Sequence, residues 1–192
     1  MSVVLEKITE TCSMDCSHCP YANSKKNNNE DFNFIAESET IYILSGGEPF
    51  ESLQTLKKYI QEICNKGSYF RIATGGHIQL RYMYMFLLNM SGFLGINFGT
   101  DILLRSNNKT AQKNWEYNWK LFSKLNSTWL TITLGKDVDM GKVIKILKNT
   151  SPKLVMINEE ESGFLEFENE LRYLMTEFNE ITFIEGYRHE GT

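Results

Sequence analysis

The chain has 192 residues, 42% of them hydrophobic and 23% charged, which suits one soluble domain, 1–192, with a sizeable core. Its formal net charge of −4 argues against a broad nucleic-acid-binding surface. No apolar run approaches the ~20 residues that span a bilayer, and residues 1–7 lack the basic region and apolar run of a signal peptide. Three of the four cysteines are clustered and Cys64 stands alone, so there is no disulfide framework and the expected compartment is a reducing cytoplasm.

Short β-type runs alternate with amphipathic stretches, the pattern of βα units around a parallel sheet. Val3 to Ile8 reads as the first strand, with Cys12 to Cys19 on the loop that leaves it. The polar stretch 20–38, centred on Lys25, Lys26, Asn27, Asn28 and Asn29, reads as a mobile loop with at most a short helix over Phe32 to Glu37. Thr40 to Leu44 is a second strand ending at Gly46-Gly47. Leu53, Leu56, Ile60, Ile63 and Cys64 then recur at helical spacing over 51–65, and Lys66-Gly67 stops that helix.

Tyr69 to Ala73 is a third strand, closed by Thr74-Gly75-Gly76. Residues 78–90 are apolar almost all round, which predicts a helix buried on more than one side or one placed at an interface. Phe93 to Phe98 makes a fourth strand before Gly99-Thr100-Asp101. Trp115, Trp119, Phe122 and Leu125 share one face of the next helix and read as core. Thr128 to Leu134, a helix facing inward through Met140, Val143, Ile144 and Leu147, and a strand over Leu154 to Ile157 follow. Phe164, Phe167, Leu171, Leu174, Met175 and Phe178 give a last helix, Ile181 to Ile184 one more short strand, and 186–192 a loose tail. About six units fall short of the eight of a closed barrel, so an open barrel and a flat doubly wound sheet both remain on this reading.

The chemistry centres on Cys12-Ser13-Met14-Asp15-Cys16-Ser17-His18-Cys19. Three soft thiolates so close together suit an iron–sulfur cubane, which normally takes four cysteines, so one iron would keep an open position. A structural zinc site would need its fourth ligand from His18, crowded between two cysteines, or from far away. In parallel βα folds the functional loops gather at the carboxyl ends of the strands. The cysteine loop, Gly46-Gly47-Glu48-Pro49, Thr74-Gly75-Gly76, Gly99-Thr100-Asp101 and Asn158-Glu159 all fall there.

Cys-x3-Cys-x2-Cys followed by Ser45-Gly46-Gly47-Glu48-Pro49 resembles the radical S-adenosylmethionine (SAM) enzymes. The resemblance implies a partial (β/α)6 TIM-like barrel. It implies a [4Fe–4S] cluster on Cys12, Cys16 and Cys19, whose open iron chelates SAM and whose electron cleaves it to methionine and a 5′-deoxyadenosyl radical. It also implies that His18 lies near the adenine, that Gly46, Gly47 and Glu48 bind the amino group of the methionine moiety, and that Thr74 and Asn97 line the cofactor site. Gly75 stands where relatives often carry Asn, and Asn97 is matched by position only.

The wording around the cysteines looks most like the branch that matures ribosomally made peptides and protein-derived cofactors. A peptide or protein substrate, an external electron donor of the flavodoxin or ferredoxin type, and a separate recognition partner are the partners implied. Glycyl-radical activases, deazaguanine-type synthases and a non-catalytic subunit are the alternatives. After Cys19 only Cys64 remains, which cannot hold a second cluster; on the apolar face of its helix it reads as core. Glu159, Glu160 and Glu161 would face the mouth as a solvated run or hold a cationic group. His77 begins a helix beside the third-strand loop, within reach of a substrate, and His189 falls in the tail.

Overall fold

The computed structural model describes residues 1–16, 19–25, 33–160 and 168–189, without the side chains at 159–160 and 187–189. Its seven strands are β1 (Ser2–Thr9), β2 (Thr40–Gly46), β3 (Tyr69–Thr74), β4 (Phe93–Gly99), β5 (Trp129–Leu134), β6 (Leu154–Glu160) and β7 (Thr182–His189). They lie side by side in chain order, every neighbouring pair parallel. The order never reverses. Crossovers of one hand then place the helices on one face only, which excludes the doubly wound sheet and leaves the open, partial barrel. Among the described residues β1 and β7 do not pair, so they are its two edges.

Strand alternation sorts the side chains. Leu44, Phe70, Ile72, Ile96, Phe98, Leu130, Ile132 and Val155 turn outward and share one core with the helices. Ile43, Arg71, Asn97, Thr131, Thr133 and Asn158 alternate with them and face the concave side. Toward the β1 edge that side carries Val3 and Leu5, 58% and 50% exposed, unlike the inner strands.

The helices are α1 (Leu53–Asn65), α2 (Arg81–Leu88), α3 (Asp101–Leu104), α4 (Lys109–Phe122), α5 (Met140–Thr150) and α6 (Glu168–Glu177). Asn108 caps α4 by accepting from the backbone of Thr110 and Ala111, and Asp139 caps α5 through Gly141. The tryptophan stripe is core, as its spacing predicts. Trp115 and Trp119 stack with ring centroids 5.6 Å apart, and Phe98 meets both edge-on. Cys64 packs partly against the same core, near Gly92 at the end of the sheet away from the cysteine loop.

Three expectations need correction, and one element is new. Residues 33–37 form no helix; Phe34 instead packs on Tyr42 and Tyr59. Of the two readings of the apolar stretch 78–90, burial on more than one side does not hold, because in α2 only Leu87 is buried, while Tyr82 and Met85 are 89% and 60% exposed. The last strand extends to His189, so the stretch 186–189 is not tail. Gly99-Thr100-Asp101 opens a further short helix, α3, too brief to show a periodicity. Phe164, Phe167 and the end of the tail, 190–192, lie outside the described residues.

Candidate active site

The cysteine loop leaves β1 and folds back on itself. Cys12 N donates to Ser24 O (2.8 Å), Cys19 N to Cys16 O (3.0 Å) and Asn23 N to Met14 O (2.7 Å). The backbone N–H of Met14 points at the sulfur of Cys12, and those of Tyr21 and Ala22 at the sulfur of Cys19. Burial pushes the Cys12 thiol up to about 12, with the nearby charges of Glu48, Glu51 and Cys19 adding to the effect. Burial, then the charge of Asp101, raises Cys16 to about 11, and burial raises Cys19 as well. The thiols therefore stay protonated until a cation replaces the proton.

Cys19 acts electrostatically on both other cysteines, so the three share one neighbourhood. Among the described residues no three histidine, cysteine or acidic side chains converge on the position of a single metal ion. In a cubane each thiolate takes a different iron. The donor set fits such a cluster: soft sulfur, partial burial, and N–H groups aimed at sulfur that favour thiolate over thiol. Asp101, at the start of α3, and Arg105, just after its end, form an ion pair that flanks Cys16. A cavity of about 310 Å³ opens beside Cys12, lined by Thr11, Ser13, Asn23, Ser24, Lys25 and Glu51.

The glycine turn after β2 lies directly against this loop. Gly47 N donates to Thr9 O (2.8 Å) and Glu48 N to Thr11 O (2.7 Å). A Cβ at Gly46 would stand 2.2 Å from Thr9 O, and one at Gly47 2.3 Å from Thr11 O. Gly46 also has φ +116°, which L side chains rarely adopt. Both glycines therefore serve first the close approach of two backbone segments.

Glu48 is only 1% exposed. Its carboxylate accepts from Thr74 Oγ1 (2.7 Å), Gly75 N (2.9 Å) and Phe50 N (3.2 Å). Burial raises its pKa, against the pull of His77, Thr74 and the two backbone donors. Thr74 also accepts from Gly76 N (2.9 Å), so its hydroxyl is engaged on both sides. Glu51 is held below the usual carboxylate range: burial pushes it up, but bonds from Ser13 and His77 outweigh that. His77, 7% exposed, is set between these two carboxylates.

The third-strand loop is anchored by residues that the sequence reading passed over. Asn118 of α4 is fully buried and donates to Gly76 O (2.9 Å) and Ile78 O (2.5 Å) while accepting from Leu80 N (2.9 Å). Asn114, one turn earlier, donates to His77 O (2.8 Å). The available signal was polar residues interrupting a tryptophan-rich apolar stripe.

Asn97 lies apart from the glycine turn, on the concave face. Its Oδ1 accepts from Arg71 Nε (3.0 Å). Arg71 also donates to Ser127 O (2.6 Å) and stacks on Trp129, its Cζ 3.6 Å from the ring centroid. Burial pushes its guanidinium down to about 10. Arg71 braces β3, β4 and β5 where β4 and β5 share only three paired positions. His18 and Glu161 lie outside the described residues, as do the side chains of Glu159, Glu160 and His189.

No protein-family model matches the chain, and no curated protein matches its sequence. Solved structures do match. SuiB of Streptococcus suis bound to S-adenosylmethionine aligns with a TM-score of 0.66 at 11% identity, over 98% of this chain and 51% of that one. SuiB bound to its precursor peptide SuiA aligns with a TM-score of 0.65 at 10% identity, over 98% and 49%. The chain thus spans about half the length of SuiB, and at this identity the likeness is one of fold: the partial barrel of the radical SAM type.

Proposed function

We propose that this chain is a radical SAM enzyme in which Cys12, Cys16 and Cys19 hold a [4Fe–4S] cluster with an open iron for SAM, and that its substrate is a peptide or protein. The reading rests above all on three interacting thiols, supported by N–H···S bonds, beside a glycine turn at the strand ends of a partial barrel. Bound there, the cluster supplies the electron that cleaves SAM to methionine and a 5′-deoxyadenosyl radical capable of taking a hydrogen atom.

The chain's own residues prepare the place. Cys12, Cys16 and Cys19 give up their protons as metal enters, and the N–H groups of Met14, Tyr21 and Ala22 then support the thiolates. Gly46 and Gly47, in a turn bonded to Thr9 O through Gly47 N and to Thr11 O through Glu48 N, set where the amino group of the methionine moiety sits. Glu48 and Thr74 hold that turn against the third-strand loop. Asn97, its amide held by Arg71, offers polar contact on the concave face to the carboxylate or ribose, and the adenine contact is assigned to His18 from the cysteine motif alone.

The peptide class of substrate is supported by the likeness to SuiB, seen with SuiA. An external flavodoxin- or ferredoxin-type donor brings the electron, and a separate partner protein brings recognition.

The test is anaerobic reconstitution with iron and sulfide, followed by electron paramagnetic resonance of the reduced protein with and without SAM. A cubane spectrum that shifts on adding SAM, and is absent from Cys16→Ala, is the expected result. Zinc bound in place of iron would end the reading.

A further inference from the structure

We infer that His77 bridges Glu48 and Glu51 through both ring nitrogens and thereby positions the cysteine loop against the third-strand loop. Its Nε2 is 2.7 Å from Glu51 Oε1 and 3.3 Å from Ser13 Oγ. Its Nδ1 is buried without a hydrogen-bond partner and stands 3.5 Å from Glu48 Oε2. Two lone pairs facing each other in a site closed to water are strongly unfavourable, so a proton belongs in that gap, on the ring or on the carboxyl.

The bridge has a mechanical consequence. The Glu51 oxygen that meets His77 also accepts from the backbone N–H of Ser13 (3.0 Å) and from its hydroxyl, and Ser13 follows Cys12. At the other end, Asn114 and Asn118 hold His77 and its neighbours to α4. A continuous run of hydrogen bonds therefore leads from the buried face of α4 through His77 and Glu51 to the residue beside Cys12. His77 is a positioning residue, and the charged groups facing it are Glu48 and Glu51.

The consequence for the cofactor rests on the function proposed above; the bridge itself is testable without metal. In the metal-free protein, amide hydrogen exchange at Ser13 is followed by NMR in His77→Gln, Glu51→Gln and the double variant, with Thr100 N–H, bonded to Thr131 O, as a remote control. Each single variant is expected to speed Ser13 exchange about tenfold, the double no further than either, with Thr100 unmoved.

After reconstitution, His77→Gln is expected to need about tenfold more SAM for half the spectral shift, with the cluster still formed. Unchanged Ser13 exchange in His77→Gln, additive effects, or equal acceleration at Thr100 would overturn the proposal. If Ser13 responds and no cluster forms in any protein, the bridge stands and the functional reading fails.

Discussion

Replacing Asn118 with alanine tests how the third-strand loop is held. The change removes two donated bonds, to Gly76 O and Ile78 O, and one accepted bond, from Leu80 N. Gly76 and Leu80 are buried, so the carbonyl and the N–H they contribute lose their partner away from water, at about 1–3 kcal/mol each. Ile78 is half-buried and recovers a water partner. Alanine's better helix propensity returns about 0.5 kcal/mol.

The sum is a loss of about 3 kcal/mol, a large part of the 5–15 kcal/mol typical of a folded protein. Asn114→Ala removes one bond, to His77 O, from a side chain that is itself only partly buried, and should lose about 1 kcal/mol. Urea unfolding of the metal-free proteins, at unchanged slope, measures both. Equal losses, or a loss below about 1 kcal/mol for Asn118→Ala, would refute the anchoring argument.

Other predictions follow the same geometry. Gly46→Ala puts a methyl 2.2 Å from Thr9 O at φ +116°, whereas Gly67→Ala, at φ +67°, meets nothing within 4 Å. The first should lose about 3 kcal/mol or more and the second about 1, compared by thermal unfolding. Arg71→Lys keeps a charge but loses the planar stack on Trp129 and the fork to Ser127 O and Asn97, which should lower stability by about 2 kcal/mol in urea.

The thiol shifts also have a definite sign. A raised pKa keeps Cys12 protonated below about 12, so in the metal-free protein it is almost wholly thiol at pH 8. Iodoacetamide should modify it at least about a hundredfold more slowly than a free thiol of pKa about 8.5, and the rate should still be climbing at pH 10. A rate that levels off near pH 9 contradicts the burial argument.

The sequence carried most of the fold because strands and helices here have clean and different periods. The run of apolar strands separated by 3.6-period helices was enough to name six of the seven strands within a residue or three at each end. Residues 78–90 misled because composition alone cannot say whether an apolar face is covered, and Tyr82 and Met85 turn out to be exposed. The seventh strand was undersized because Gly186 reads as a turn residue, whereas it marks a register shift in β7 after which pairing with β6 resumes at Arg188.

For the site, the cysteine spacing and the positions at strand ends drew attention to the cysteine loop, Gly46-Gly47 and Thr74, since each lies in a short loop, while their roles came from the family resemblance. What stayed hidden was long-range. The bonds from Asn118 to residues about 40 positions earlier, and the bridge of His77 to Glu48 and Glu51, arise only when separate crossovers are laid side by side. No local pattern announces such pairs.

The most direct measurement of the central claim is 5′-deoxyadenosine, detected by mass spectrometry after anaerobic reconstitution and incubation with SAM and dithionite, with Cys16→Ala run in parallel. The account predicts the product from the unaltered protein and none from the variant. Iron bound in the unaltered protein with no deoxyadenosine, even after a candidate peptide and an electron donor are added, would contradict it.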